Sequence, residues 1–587
     1  MNRIDSIDFD NPSLTNKTSH QNVVGNEAKW WRESVIYQVY PRSFADSNGD
    51  GIGDLAGIVS KIEHLAKLGV DAIWISPFYP SPQVDAGYDV SNYRDVDPIF
   101  GDLSDFDELL KQAKTHHIKV IVDLVPNHCS DQHPWFQAAL KAGPGSAARA
   151  LFHFKESPDD NPPNNWTSMF QGPAWTRAKD HPQAKELGVE DNEWYLNLFD
   201  SAQPDFNWDN PKVKEEFESI LRFWLAKGVD GFRVDVSHGL IKKPGLPNWD
   251  GSIAMIQGEQ ESKKNSEHIA QRENAAPFFD QDPVHEIYRS WRKILNEYSP
   301  ERMMVAEAWV DPLERLANYV RSDEMHQAFN FEYLVQPFDA TKVRHTIKRS
   351  LKVNALVGAP TTWVLSNHDT VRHVSRLGLD HSIPQHGGIG PNDPQPDLEM
   401  GQRRGAAMTL QMLALPGSAY IYQGEELGLP EHTTLAEQAR QDPTWERSKH
   451  TQVGRDGCRI PLPWDNNAPA FGFNETGNTW LPQPESYRQY AVNVQDEDPA
   501  SMLNLYRKAI RIRKERGLGR GELQWLAEYE EGEVVAFKNG DLTCLTTFAN
   551  QTITLPAEIT VLISTQDLEA GPGGTLVVPA ETTLWFT

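Results

Sequence analysis

Cysteine is scarce in this chain: Cys129, Cys458 and Cys544 are the only three in 587 residues, and they lie far apart. So few, so scattered, exclude a disulfide framework and a cysteine-rich zinc site and point to a reducing compartment, so a cytoplasmic location is expected. Long apolar runs are missing as well. No stretch reads as a membrane span, and the first 28 residues, polar and rich in Asn, lack the apolar run of a signal peptide and read as a flexible tail. Positive charge is short: 56 Lys and Arg against 82 Asp and Glu give a formal charge of −26. That balance excludes nucleic acid and anionic membrane, which need a basic surface, and leaves a neutral ligand. Either a monomer or a homodimer is compatible with this composition.

Aromatic rings, in contrast, are plentiful. The 18 Trp, 16 Tyr and 24 Phe, with 40 Gly and 40 Pro, suit a loop-rich enzyme that stacks on something flat, although core packing alone could use most of them. The length exceeds what one hydrophobic core organises, so two or three domains are expected.

From Trp30 onward short apolar runs alternate with helical patterns. Strands are expected at 35–40, 71–76, 119–125, 231–236, 303–308, 327–331, 362–366 and 419–423, with helices at 58–68, 105–117, 213–227, 284–298, 313–320, 402–415 and 501–517. Val213, Phe217, Ile220, Leu221, Trp224 and Leu225 form one stripe at helical spacing, ended by Gly228. Gly69-Val70-Asp71 and Gly228-Val229-Asp230 repeat one helix-to-strand turn. Eight such units predict a closed parallel (β/α)8 barrel over 29–125 and 207–517, with functional residues at the C-terminal strand ends. The stretch 126–206, rich in Pro, Asn and Trp, is too long for a connection and reads as an inserted domain roofing the site. The segment 239–282, polar around 257–274, reads as a long mobile loop. Short β-rich runs over 518–587 predict a C-terminal antiparallel β-sandwich.

Gly231-Phe232-Arg233-Val234-Asp235-Val236 is a buried-strand pattern carrying Arg and Asp two positions apart, hence on one face. Alone, such a pair reads as a structural ion pair. Glu307 and Asp369, however, also end apolar strands, and three carboxylates at three strand ends point to one site. Paired carboxylates with a neutral substrate and an aromatic-lined pocket point to glycoside hydrolysis, in which one attacks the anomeric carbon and another protonates the leaving oxygen. About 5 Å between them would give retention of configuration. Arg233 is expected to keep Asp235 ionised, and apolar neighbours and nearby anions to raise Glu307. His128 and His368 are placed to donate to sugar hydroxyls; singly, each would read as a structural histidine.

Asp46-Ser47-Asn48-Gly49-Asp50-Gly51-Ile52-Gly53-Asp54 sets oxygen side chains at alternate positions around glycines. Gly57 at the twelfth position excludes an EF-hand. A polar surface turn is one reading. The other is a structural Ca2+ or Mg2+ ion held by Asp46, Asn48, Asp50, the Ile52 carbonyl and Asp54. No organic cofactor is expected.

The runs 123–128 (Asp-Leu-Val-Pro-Asn-His), 231–235, 305–307 and 366–369 resemble, in order, the four short motifs of the α-amylase family, glycoside hydrolase family 13. Gln203-Pro204-Asp205-Phe206-Asn207-Trp208 is similar to its fifth. Trp30-Trp31 with residues 35–44 looks like the start of the small bacterial α-glucosidases. The resemblance implies Asp235 as nucleophile, Glu307 as acid/base and Asp369 as a third carboxylate gripping sugar hydroxyls. It implies His128 and His368 on hydroxyls of the same glucose, Tyr88 stacked on its ring, and Asp85 with Arg455 closing the pocket around the terminal 4-hydroxyl, hence exo action. Phe170, Phe199, Gln203 and Phe331 stand where the family has pocket wall, and the family's cation loop matches 46–54. Val236 after the nucleophile goes with α-1,6 cleavage in small α-glucosidases, whereas Ser237-His238-Gly239-Leu240 resemble an actinobacterial maltase-like branch that also carries Val. The expected activity is α-1,4 cleavage of maltose and short maltooligosaccharides with some α-1,6 cleavage and glucosyl transfer. The alternatives are an oligo-1,6-glucosidase, a sucrose-acting glucosyltransferase, or a non-catalytic amylase-like binding or transporter-associated protein. The last is disfavoured because all three carboxylates are present and no span is.

Overall fold

Eight parallel strands form the centre: β1 Val35–Val39, β2 Ala72–Ile75, β3 Lys119–Leu124, β4 Gly231–Val234, β5 Met303–Ala306, β6 Gln327–Ala328, β7 Thr362–Val364 and β8 Ser418–Tyr422. Their order is β7-β8-β1-β2-β3-β4-β5-β6, and a parallel bridge between Phe329 and Thr362 joins the two ends. The sheet is therefore a (β/α)8 barrel, as the alternation predicts. The computed structural model describes residues 29–157, 160–251, 275–380, 387–548 and 550–587. The expected tail and the polar stretch 257–274 lie outside them.

The strands are short apolar runs because helices cover them on the outside and the barrel interior covers them within. The helix Pro211–Lys227 shows how the cover is made. Asn210 caps its first turn, Pro211 starts it, and Val213, Phe217, Ile220, Leu221, Trp224 and Leu225 are all buried. Each such side chain contributes about 1.5–3 kcal/mol relative to exposure. The helix stops at Gly228, whose φ of 111° suits a residue without Cβ, and the chain enters β4 three residues later.

The structure corrects two expected elements and adds one. The strand expected at 327–331 is only Gln327–Ala328, because Asn330 caps a short helix, Phe331–Leu334, that takes Phe331 out of the sheet. The helix expected at 58–68 is two pieces, Leu55–Ser60 and Ile62–Leu68, the first capped by the Asp54 side chain. A helix at Ala340–Leu356, which the sequence reading left unassigned, connects the chain between β6 and β7.

Within 126–206 the strands Phe154–Lys155, Trp175–Arg177 and Trp194–Leu196 form a small antiparallel sheet. Antiparallel bridges His128 to Asp205 and Phe152 to Phe206 bring the two ends of this excursion together above β3. After the helix Met502–Glu515 come a five-stranded and a three-stranded antiparallel sheet. Val534, Ala536, Leu545, Leu555, Val578 and Leu584 pack between them. Among the described residues no helix is long and apolar enough to cross a membrane, and the three cysteines are free and buried.

Candidate active site

The barrel places its chemistry at the C-terminal strand ends. Asp123 is the penultimate residue of β3, Asp235 and Glu307 each follow the last residue of β4 and β5, and Asp369 lies on the loop after β7. Arg233, one strand position pair before Asp235, points to the same face and ties them together. Its Nη1 lies 2.5 Å from Asp235 Oδ1 and 2.9 Å from Asp123 Oδ1, and its Nη2 lies 3.8 Å from Glu307 Oε2. One guanidinium thus reaches three carboxylates at a buried site.

Glu307 is oriented by the turn after β4. Val236 has φ 42°, a left-handed conformation uncommon for a β-branched residue. There its N–H donates to Glu307 Oε2 at 2.6 Å, and the Ser237 N–H and Oγ donate to the Glu307 carbonyl at 2.9 and 2.7 Å. Such strain persists where surrounding contacts over-determine it, and here it sits between nucleophile and acid candidates.

Asp369 has a different setting. Arg455 Nη1 lies 3.0 Å and Arg459 Nη2 2.9 Å from its Oδ1, and His368 Nε2 lies 3.3 Å from its Oδ2. Arg455 also binds Asp85 at 2.7 Å and Asp442 through its Nε. Asp85 in turn accepts from Gln203 Nε2 at 3.1 Å. Phe170 lies under the Arg455 guanidinium and edge-on to Phe199, whose ring is 4.9 Å from that of His128. Tyr88 stacks on His368 with ring centroids 5.3 Å apart and planes 8° apart, and its hydroxyl donates to Asp123 Oδ2 at 3.2 Å. Asp85, Tyr88, His128, Phe170, Phe199, Gln203, Arg233, Asp235, Glu307, His368, Asp369 and Arg455 therefore form one connected set. Phe331 joins it less directly, through Phe329, and stacks at 4.0 Å on Trp309, two residues past Glu307.

The charges follow from these contacts. Burial pushes both Asp235 and Glu307 up, with Arg233 pulling each down. For Asp235 this departs from the expected net effect of its guanidinium, since removal from water outweighs the contact. Burial would raise Asp369 too, but His368, Arg455 and Arg459 together hold it well below the usual carboxylate range. His368 is itself kept neutral by burial, so the charge on that side comes from the arginines. Burial lowers His128 to about 4.

In the loop 46–54 the oxygens close on the loop's own backbone. Asp46 accepts from the N–H groups of Asn48, Gly49 and Gly51 and from Asn474 Nδ2. Asn48 and Asp50 accept from the N–H groups two residues on, and Asp54 accepts from Ser47 and Gly57. Asp46 uses about all four acceptor positions of a carboxylate in this way. Among the described residues no group of three or more His, Cys, Asp or Glu is arranged to hold a metal. A cation here would draw on Asn48, Asp50 and the Ile52 carbonyl as much as on Asp46 and Asp54, which is the oxygen donor chemistry of a hard ion.

Sequence reasoning missed Asp442 and Arg459. Asp442 reads in sequence only as a helix cap before Pro443, which it also is. Nothing local marks it as the partner of Arg455, and nothing marks Arg459 as a second guanidinium on Asp369.

The α-amylase catalytic-domain family matches residues 38–521. A probable α-glucosidase of Rhizobium meliloti is 36% identical over 531 residues, 87% of this chain and 88% of that protein. An oligo-1,6-glucosidase of Parageobacillus thermoglucosidasius is 34% identical over 84% of this chain and 85% of its own. Among solved structures, an α-glucosyl transfer enzyme, XgtA, superposes with a TM-score of 0.79 at 34% identity, covering 95% of this chain and 99% of that one. With the five motifs converging at the strand ends of a (β/α)8 barrel and the match running over most of its length, this chain belongs to the α-amylase family.

Proposed function

We propose that the chain is a retaining, exo-acting α-glucosidase that releases glucose from the non-reducing ends of maltose and short α-glucosides. The observation that carries this reading is Arg455. Its guanidinium spans Asp85, Asp369 and Asp442 at a buried position, closing one end of the pocket so that only a terminal sugar fits. Asp235 attacks the anomeric carbon as Glu307 protonates the departing glycosidic oxygen; the C–O bond breaks and a glucosyl ester forms on Asp235. Glu307, now a carboxylate, takes a proton from the incoming water, which displaces Asp235. The two raised carboxyls titrate as a pair, and contact with Arg233 puts the pair's negative charge on Asp235 and its proton on Glu307. Asp369, charged throughout, accepts from sugar hydroxyls, His128 and His368 donate to them, Tyr88 faces the ring, and Phe170, Phe199, Gln203 and Phe331 complete the wall.

Two further readings have support. The relative named oligo-1,6-glucosidase and the presence of Val236 favour some α-1,6 cleavage, and the likeness to an α-glucosyl transfer enzyme and to a trehalulose synthase solved with its substrate sucrose favours glucosyl transfer, with sucrose as a donor. The strongly acidic chain supports a neutral oligosaccharide substrate rather than nucleic acid or membrane. Free buried cysteines support a cytoplasmic location, as a monomer or homodimer. A Ca2+ or Mg2+ ion in the loop 46–54 is part of the proposal, and a fall in Tm on dialysis against a chelator, restored by the ion, would support it.

The test is initial glucose release from maltose, isomaltose, sucrose and trehalose, with the anomer read by NMR. Maltose fastest, with α-glucose appearing first, is the expected result; β-glucose first would overturn retention, and isomaltose fastest would move the assignment to α-1,6 cleavage. Asp235→Asn is expected to lower kcat by on the order of 10^4-fold with an unchanged thermal transition. Activity near that of the parent would remove Asp235 from its role.

A further inference from the structure

Seven residues past Asp235, Lys242 is buried in the loop that follows β4, with 3% of its surface exposed. Its Nζ lies 2.8 Å from Asp205 Oδ2 and 2.8 Å from Asn127 Oδ1, and it also donates to the Gly239 carbonyl. Three ammonium protons meet three acceptors, so the group is fully used. The loop comes this close because residue 239 is glycine: a Cβ there would lie 2.9 Å from Asn127 Oδ1 and 2.7 Å from Val236 Cγ1.

The contact has a consequence two groups away. A lysine only donates and a carboxylate only accepts, so Asn127, set between Lys242 and Asp205, has one permissible amide orientation. Its Oδ1 faces Lys242, and its Nδ2 faces Asp205 Oδ2 at 3.0 Å and His128 Nδ1 at 3.2 Å. His128 Nδ1 therefore accepts and carries no proton. The ring is neutral, since burial holds it near 4, and its one N–H is on Nε2.

The far side of the ring is fixed by the same logic. Gln203 accepts the Asp200 N–H through Oε1 at 2.9 Å and donates through Nε2 to Asp85 Oδ2 at 3.1 Å. Its Nε2 then lies 3.3 Å from His128 Nε2. Two donors facing one another make no bond between them; they are arranged for an acceptor oxygen that meets both. We propose that Lys242 is a positioning residue which, through Asn127, keeps the His128 proton on Nε2, where with Gln203 it awaits a hydroxyl oxygen of the bound sugar. That last step rests on the α-glucosidase reading, whereas the proton's place does not.

The test separates the two. Long-range 1H–15N spectra of the substrate-free enzyme labelled in histidine, with His128 assigned by the loss of its signals in His128→Gln, report which nitrogen is protonated. The wild type is expected to show the Nε2–H pattern; an Nδ1–H pattern overturns the proposal without any variant. Lys242→Met alone leaves Asp205 as an unpaired buried carboxylate, so the variant of choice is Lys242→Met with Asp205→Asn, which removes both charges. There Asn127 loses its fixed orientation, and His128 is expected to show both tautomers while KM for maltose rises about tenfold, with a smaller change in kcat. An unchanged tautomer would overturn the role of Lys242. A changed tautomer with unchanged KM would overturn the link to the sugar hydroxyl.

Discussion

At the scale of single residues, the pocket depends on groups that hold other groups still. Asp442 touches no expected substrate atom, yet it accepts from the Arg455 backbone N–H at 2.8 Å as well as from its side chain. Asp442→Asn is expected to loosen Arg455 and raise KM for maltose roughly tenfold, in line with about 1.5–3 kcal/mol for a hydrogen bond to a charged group, with kcat changing less. Equal loss in kcat would instead place Asp442 in the chemical step. The three carboxylates proposed for the chemistry were legible in sequence because each stands at or just past the end of an apolar strand, and a barrel brings strand ends together. Asp442 and Arg459 were not, because what they do depends on a partner brought near by the fold: Asp85 and Arg455 themselves are 370 positions apart in the chain. The burial that opposes Arg233 at Asp235 was hidden for a related reason. A sequence shows the neighbouring Arg233 but not how completely the pair is removed from water.

At the scale of elements, close approach and buried charge set what can change. The first turn of the helix Leu55–Ser60 packs against the 41–45 segment so tightly that a Cβ on Gly57 would lie 1.9 Å from the Ala45 carbonyl oxygen. Gly57→Ala is expected to cost about 1–3 kcal/mol, as overpacking does, and to lower Tm; an unchanged Tm would mean that the turn can yield. The short turn Glu425–Leu427 after β8 carries a second liability. Glu425 is fully buried, accepts from Tyr506 and from the Tyr422 N–H, and is pushed up to about 8 by burial. The folded protein keeps this proton up to about pH 8, whereas an unfolded Glu releases it near about 4.3. Over that window the unfolded state binds fewer protons, so stability falls as pH rises. Glu425→Gln is expected to change Tm little at pH 5 and to raise it relative to wild type at pH 8.5; a gap that does not widen with pH would exclude this charge as the cause. The repeated helix-to-strand turns were readable from pattern. The shortness of β6 was not, because the Asn330 cap that ends it competes with an apolar run that reads equally well as strand.

At the scale of the whole molecule, the C-terminal sheets are part of the barrel's cover. Trp585 Nε1 donates to the Leu410 carbonyl, Thr583 Oγ1 to that of Ala407, and Glu581 pairs with Arg403 and Arg404. All these partners lie on the helix Leu398–Ala414, which is buried continuously from Gly405 to its end. A chain ending at Gly517 would expose that helix, and is expected to be recovered as insoluble protein; a soluble, cooperatively unfolding product would show that the barrel closes alone. Arg455, fixed between Asp85 and Asp442, gives the molecule its last consequence, which concerns traffic rather than affinity. On the proposed reading, a pocket shut at its far end has one doorway, to be used in turn by the substrate, the departing sugar and whatever replaces it on the glucosyl ester. The leaving sugar must go before the next molecule enters, so the order is ping-pong. On the exo-glucosidase reading proposed above, each encounter is expected to remove one glucose and no more, and the rate per chain end to vary little with the length of the chain behind it.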